Sequence, residues 1–180
     1  RAFVPAAGCQ LLVADYNQIE LRCIAHLAQD PGLIAAFTAG NDVHSAVAAQ
    51  VWHLEPSEVT YELRSRAKMV SYGLAYGMEA YGLSQRLDIP VGEATEILEA
   101  FFGAFPAVQD YMDRTIDEAR QKGYTETLFG RRRRIPELSA SQFNVRQAGE
   151  RQAMNSGIQG LAADIFKVAL IGIDQYLEQE

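Results

Sequence analysis

The sequence is short of cysteine, histidine and basic charge, and each shortage excludes something. Two cysteines, Cys9 and Cys23, occur in 180 residues; they cannot build a disulfide framework and suggest a reducing compartment. The three histidines, His26, His44 and His53, lack zinc-ligand spacing, and no Ser-His-Asp arrangement stands out. Lys and Arg number 16 against 23 Asp and Glu, a net charge of -7. That speaks against a basic protein that coats DNA, but not against a local basic groove. No apolar run approaches the ~18 residues of a membrane helix, and Arg1-Ala2-Phe3-Val4-Pro5 is unlike a signal peptide. What is present is ordinary: 48% hydrophobic, 22% charged and 9% aromatic residues suit one soluble domain with a core and exclude collagen-like or disordered chains. The chain opens on Arg1 instead of Met and closes on Gln175 to Glu180, helical in composition with no Gly or Pro stop. It reads as a piece of a longer protein.

The patterning is mainly helical with a little sheet. Gln10-Leu11-Leu12-Val13-Ala14 fits a buried strand, Asp15 ends it, and Asn17 can cap a helix through Arg22. Pro31, Gly32 and Gly40 punctuate short helical stretches. A helix from about Ser57 would carry Val59, Leu63, Ala67, Val70 and Leu74 on its apolar side and run into Tyr72-Gly73-Leu74-Ala75-Tyr76-Gly77. Pro90 suits the first turn of the next helix. Another follows Phe105-Pro106 and ends at Gly123. Tyr124 to Leu128 and Arg132 to Ile135 flank Gly130 as a small hairpin. From Gln142 onward the absence of Pro predicts one long helix.

Four constellations can carry chemistry. Asp15, at the end of a strand, suits a Mg²⁺ ligand, since Mg²⁺ takes one or two carboxylates plus substrate phosphates; it can equally just end a strand and cap a helix. Arg64, Lys68, Tyr72 and Tyr76 are spaced by four and share one helix face. Two cations followed by two aromatics can neutralise a triphosphate and stack on its base, or can be a solvated basic face with half-buried tyrosines. Arg131 to Arg134 can contact a phosphate backbone or simply be solvated. Arg151, Asn155 and Gln159, again spaced by four, can donate to the acceptors of a minor groove or form an ordinary polar face. His44 reads as a helix-surface or half-buried residue, not a general base.

Taken in order, these segments resemble family A DNA polymerases, the bacterial DNA polymerase I type. Asp15-Tyr16-Asn17-Gln18-Ile19-Glu20-Leu21-Arg22 is similar to the family's first motif. Arg64 through Gly77 matches its Arg-x3-Lys-x7-Tyr-Gly pattern, and Gly130-Arg131-Arg132-Arg133 and Gln159 through Asp164 resemble further signatures. The resemblance implies an α+β, predominantly helical right-hand polymerase piece supplying fingers and part of the palm. Residues 1–30 would be a palm segment, 31–125 the fingers, and 126–180 the hairpin and the helix returning to the palm. The implied reaction is addition of deoxynucleotides to a primer 3′ end by two-metal phosphoryl transfer, in replication and repair in the bacterial cytoplasm at the nucleoid.

Residue by residue, the resemblance makes Asp15 and the Tyr16 carbonyl ligands of two Mg²⁺ ions, and Lys68 a proton donor to pyrophosphate. Arg64, Lys68 and His44 would hold the incoming triphosphate. Tyr72 would stack on the nucleotide, Glu20 would gate the sugar, Tyr76 would guard the template base, and Gln18 joins the substrate-binding set. Arg131, Arg132, Arg133, Arg151, Asn155 and Gln159 would line primer–template DNA. Partners would be that DNA, deoxynucleoside triphosphates and the remaining palm, thumb and C-terminal segment, with no membrane. Asn17 stands where the family usually has Ser, and Leu161 where it commonly has a small residue. The family's His-Asp-Glu turn, with its second metal-binding aspartate, would lie beyond Glu180, so the piece alone is expected to be inactive. Two other readings compete: a nucleotide- or DNA-binding module without chemistry, and a helical interaction domain whose stripes serve packing and solubility.

Overall fold

Local signals punctuate the helices. The computed structural model describes residues 3–40 and 42–179, of Ala75 only the backbone. Within them lie α1 Ile19–Ala28, α2 Pro31–Thr38, α3 Val43–Val51, α4 Tyr61–Ala75, α5 Ala80–Leu87, α6 Val91–Ala104, α7 Pro106–Lys122 and α8 Phe143–Leu177. Asp30, Asp42 and Thr60 each turn a side-chain oxygen onto an N–H of the first turn of α2, α3 and α4, an arrangement worth about 1 kcal/mol per helix. Phe105-Pro106 forms the corner between α6 and α7, and α7 ends at Gly123 with φ +74°.

Strands β1 Tyr124–Glu126 and β2 Arg132–Arg134 form the expected antiparallel hairpin, with Thr125 opposite Arg133. β1 lies across residue 125, where the sequence reading divided two segments.

One core draws on all eight helices, with Ile24, Leu33, Val47, Val70, Leu83, Phe101, Phe105, Val108 and Ile158 almost wholly enclosed. Phe101 stands edge-on to Phe102 and 4.9 Å from the Phe105 ring centroid. A smaller cluster, Ala119, Ile135, Leu138 and Ala153, sits under the hairpin side.

Four local expectations are corrected. Gln10–Ala14 is not a buried strand: it has no sheet partner, and Leu12 and Val13 are 93% and 88% exposed. A strand is stable only when its backbone groups are paired, and the described sheet holds β1 and β2 alone. Asn17 does not cap α1. Gln18 holds that position with a left-handed φ of 56° and no side-chain cap, while the Asn17 carbonyl accepts from Arg22 Nε at 3.0 Å. The helix expected from Ser57 begins at Tyr61, because Pro56–Glu58 forms a separate 3-10 turn and Thr60 caps α4 itself. Pro90 precedes the first residue of α6 as its cap.

The long helix α8 changes character along its length. Gly149, Ala153, Ser156, Ile158, Leu161 and Asp164 are buried. Beyond them Phe166, Val168, Leu170, Ile171, Ile173, Tyr176 and Leu177 are exposed. Although no uninterrupted apolar run occurs, α8 contains an 18-residue window of mean hydropathy 1.4, long and apolar enough to cross a membrane by length and composition alone. Lys167 and Asp174 fall within this apolar half.

Candidate functional site

The α4 face forms as its spacing requires, since Ala67, Val70 and Leu74 are buried and turn the intervening residues outward. Lys68 Nζ lies 5.8 Å from the Tyr72 ring centroid. Arg64 is already engaged: its Nε and Nη2 donate to the two carboxylate oxygens of Asp42 at 3.1 and 2.8 Å. Asp42 also accepts from Ser45 N at 2.8 Å, so one carboxylate ties the start of α3 to α4. The Arg64 hydrogen bonds hold its pKa at about 2, from an ordinary 3.8.

His44 is corrected from a surface or half-buried residue to a buried one, 2% exposed. Its ring centroid lies 6.0 Å from that of Tyr72, and its buried Nδ1 has no hydrogen-bond partner among the described residues. Burial pushes its pKa down. The neighbouring Arg64 and Lys68 cations add to that, against the pull of Asp42. The imidazole is therefore held neutral beside the two cations. An anion placed against this face would meet the positive charges of Arg64 and Lys68.

At the end of α4, Tyr76 Oη donates to Glu20 Oε1 at 3.0 Å across 56 positions of sequence. This bond, reinforced by burial and the Glu20 charge, raises the tyrosine pKa. The following turn is fastened to α8: Asn155 Nδ2 donates to the Tyr76 carbonyl at 3.0 Å. Glu79 Oε1 accepts from Gln147 Nε2 at 3.0 Å and pairs with Arg151 Nη1 at 3.3 Å. Gly77, at φ +65°, lets the turn approach, since a Cβ there would sit 3.3 Å from Arg151 Cβ and 3.2 Å from Met154 Cε. Two of the three α8 donors expected to face a duplex thus contact the turn after α4 in this structure.

Asp15 and Tyr16 are exposed and, with Ala14, face Phe166, Ala169, Leu170 and Ile173 of α8 across a shallow cleft of about 290 Å³. Gln18 sits just before Glu20 in the chain and is half-buried. Among the described residues no group of three His, Cys, Asp or Glu side chains is placed to hold a metal ion. Asp15 and the Tyr16 carbonyl would by themselves make an incomplete ligand set, since a hard cation takes six or more oxygens. Cys23 is buried, and burial, with Glu20 nearby, pushes its thiol up to about 11, so it is no nucleophile at neutral pH.

The hairpin arginines and α8 enclose a groove of about 410 Å³ lined in part by Arg131, Arg132, Arg133, Ser156, Gln159 and Gly160. Arg132 pairs with Glu126 at 2.6 Å and lies 4.9 Å over the Tyr124 ring. Arg131 reaches α8, where its Nε meets Asp164 Oδ1 at 2.9 Å and its Nη2 donates to the Gly160 carbonyl at 2.7 Å.

The structure therefore brings together Glu20, His44, Arg64, Lys68, Tyr72 and Tyr76 on one side, and Arg131 to Arg133 with Gln159 on the other. Asp15 and Tyr16 line the cleft against the C-terminal half of α8. Sequence reasoning missed Asp42, Glu79, Thr127 and Asp164 as site residues. Asp42 carried a legible signal, an Asp directly before a helix; Glu79 carried none, because its partners lie 68 and 72 positions away.

A family model described as DNA polymerase family A matches residues 1–180, and the chain belongs to this family. It is similar to DNA polymerase I of Mycobacterium bovis, 52% identical over 179 residues, covering 99% of this chain and 20% of that protein. It is also similar to DNA polymerase I of Geobacillus stearothermophilus, 47% identical over 181 residues, covering 100% of this chain and 21% of that protein. The chain thus spans about a fifth of the length of these curated relatives. Among solved structures it matches the POL domain of Pol1 from M. smegmatis in complex with DNA primer-template and dNTP. The TM-score is 0.87 and the identity 52%, over 92% of this chain and 29% of that one.

Proposed function

We propose that this chain supplies the fingers and part of the palm of a DNA-directed DNA polymerase that adds deoxynucleotides to a primer 3′ end by two-metal phosphoryl transfer. The observation that carries the reading is the α4 face, where Arg64, Lys68 and Tyr72 stand in register beside a buried His44. Residues 1–30 belong to the palm, 31–125 to the fingers, and 126–180 return to the palm. The rest of the palm, the thumb and the C-terminal segment complete the enzyme and cover the apolar end of α8. The setting is the cytoplasm of a bacterium, at the nucleoid.

Arg64, Lys68 and His44 bind the triphosphate, Tyr72 stacks on the base, and Glu20, braced by Tyr76, closes the space at the sugar. Tyr76 guards the template base, and Gln18 belongs to the same substrate pocket. As the primer 3′ oxygen bonds to the α-phosphorus and the bond to pyrophosphate breaks, Lys68 Nζ gives a proton to the departing oxygen. Asp15 and the Tyr16 carbonyl would hold Mg²⁺, which stabilises charge on the reacting oxygens. Arg131 to Arg133, Arg151, Asn155 and Gln159 lie along the duplex. On this reading the 180 residues alone hold an incomplete ligand set and are inactive.

The test is template-directed primer extension by a family A polymerase in which this chain replaces the corresponding segment, beside an Asp15→Ala control. Extension that drops at least about 1,000-fold in the control, roughly 4 kcal/mol of barrier, is the expected result. A folded chimera that binds primer–template but does not extend it favours a binding module without chemistry.

A further inference from the structure

The tip of the hairpin is fastened to α8 by a buried carboxylate to which the proposed chemistry assigns no part. Asp164 is 8% exposed, and both its oxygens are used: Oδ2 accepts from Thr127 Oγ1 at 2.6 Å, and Oδ1 pairs with Arg131 Nε at 2.9 Å. The Thr127 hydroxyl in turn accepts from Arg131 N at 3.3 Å. The loop is closed by Thr127 N donating to the Arg131 carbonyl at 3.0 Å and Gly130 N to the Thr127 carbonyl at 2.9 Å. Arg131 Nη2 donates to the Gly160 carbonyl. At Gly160 the hairpin side chains press so closely on α8 that a Cβ would lie 2.6 Å from Thr127 Cγ2. A surface arginine whose fork reaches a buried carboxylate and a helix carbonyl at once is a strut, because a guanidinium holds such bonds in fixed relative geometry.

We propose that Asp164, through Thr127 and Arg131, is a positioning residue for primer–template binding: it anchors the hairpin tip to α8 and so sets the groove in which Arg132, Arg133 and Gln159 meet the duplex. The inference rests on the polymerase reading above. Asp164 touches no DNA. It fixes the spacing between the β2 arginines and the α8 donor row, so that phosphate contacts and minor-groove contacts are made together.

The test uses a full-length polymerase carrying this chain and measures primer–template affinity by fluorescence anisotropy across a salt series. Asp164→Asn is expected to weaken binding about tenfold and to flatten the log–log salt dependence by roughly one phosphate contact. Its kcat at saturating DNA should stay within about twofold of the parent, which a general loss of structure would not allow. Arg131→Lys separates the two roles of Arg131 without emptying the buried site. It retains the charge but cannot bond Asp164 and Gly160 together, so a strut predicts weakening like that of Asp164→Asn, and a plain phosphate contact predicts parental affinity. Thr127→Val should weaken binding in the same direction. Parental affinity and salt slope in both Asp164→Asn and Arg131→Lys would overturn the inference. Failure of the unsubstituted protein to bind primer–template would instead refute the polymerase reading.

Discussion

On the polymerase reading, Arg64 would meet a nucleotide only after Asp42 lets it go or shares it. The pair is bidentate, at 3.1 and 2.8 Å, and each side chain is about a third exposed, so solvent screening keeps its worth small. A triphosphate, with more charge and more oxygens, can outcompete one carboxylate, and Asp42 then remains as the cap of α3. The depressed pKa of Asp42, about 2, makes the pair visible in acid. Its contribution to stability is complete above the ordinary carboxylate value of 3.8 and is lost as pH falls through about 2. Asp42→Asn should therefore lower stability at neutral pH, and the difference from the parent should shrink toward pH 2 in acid-unfolding curves followed by circular dichroism. An Asp42 titration midpoint near 4, read by NMR, would remove the basis for this.

At the scale of elements, the turn after α4 is held against α8 by Glu79, Tyr76 and Gly77. Glu79 supplies no side-chain cap to α5, so its removal costs that helix little. Its contacts are with Arg151 and Gln147, on the α8 face that the polymerase reading assigns to DNA. Glu79→Ala should free Arg151 and remove an anion from a site that attracts phosphate. Primer–template affinity of a polymerase carrying this chain is then expected to rise about threefold at low salt, with the salt slope steeper by roughly one contact. Unchanged affinity and slope in a salt-series titration would mean that Arg151 is not limited by this pairing.

For the whole molecule, the deciding feature is apolar surface that the described residues leave uncovered. Leu12 and Val13 are almost fully exposed, and Phe166, Leu170, Ile171 and Ile173 are about half exposed. Contiguous apolar surface of this kind marks an interface. Prepared as these 180 residues alone, the chain is expected to self-associate with rising concentration in sedimentation velocity. Replacing Leu170 and Ile173 by Gln should shift it toward monomer. A monomer at every concentration would show that this surface is not available.

Helix periodicity, caps and stops are local. That is why α4, α7, the hairpin and α8 were legible from spacing, from Phe105-Pro106 and Gly123, and from the run free of proline after Gln142. The row Arg64, Lys68, Tyr72 and Tyr76 was legible for the same reason, since residues four apart share a face wherever the helix goes. Burial and pairing are not local. Gln10–Ala14 has the composition of a strand, yet without a neighbouring strand it has nothing to bond. His44 lies in the core because α3 packs on α4, which its own segment does not encode. The joining of Glu20 to Tyr76, of Glu79 to Arg151 and of Thr127 to Asp164 spans 56, 72 and 37 positions. Such contacts exist only once the helices have closed the chain on itself, because they depend on which faces the core has already taken.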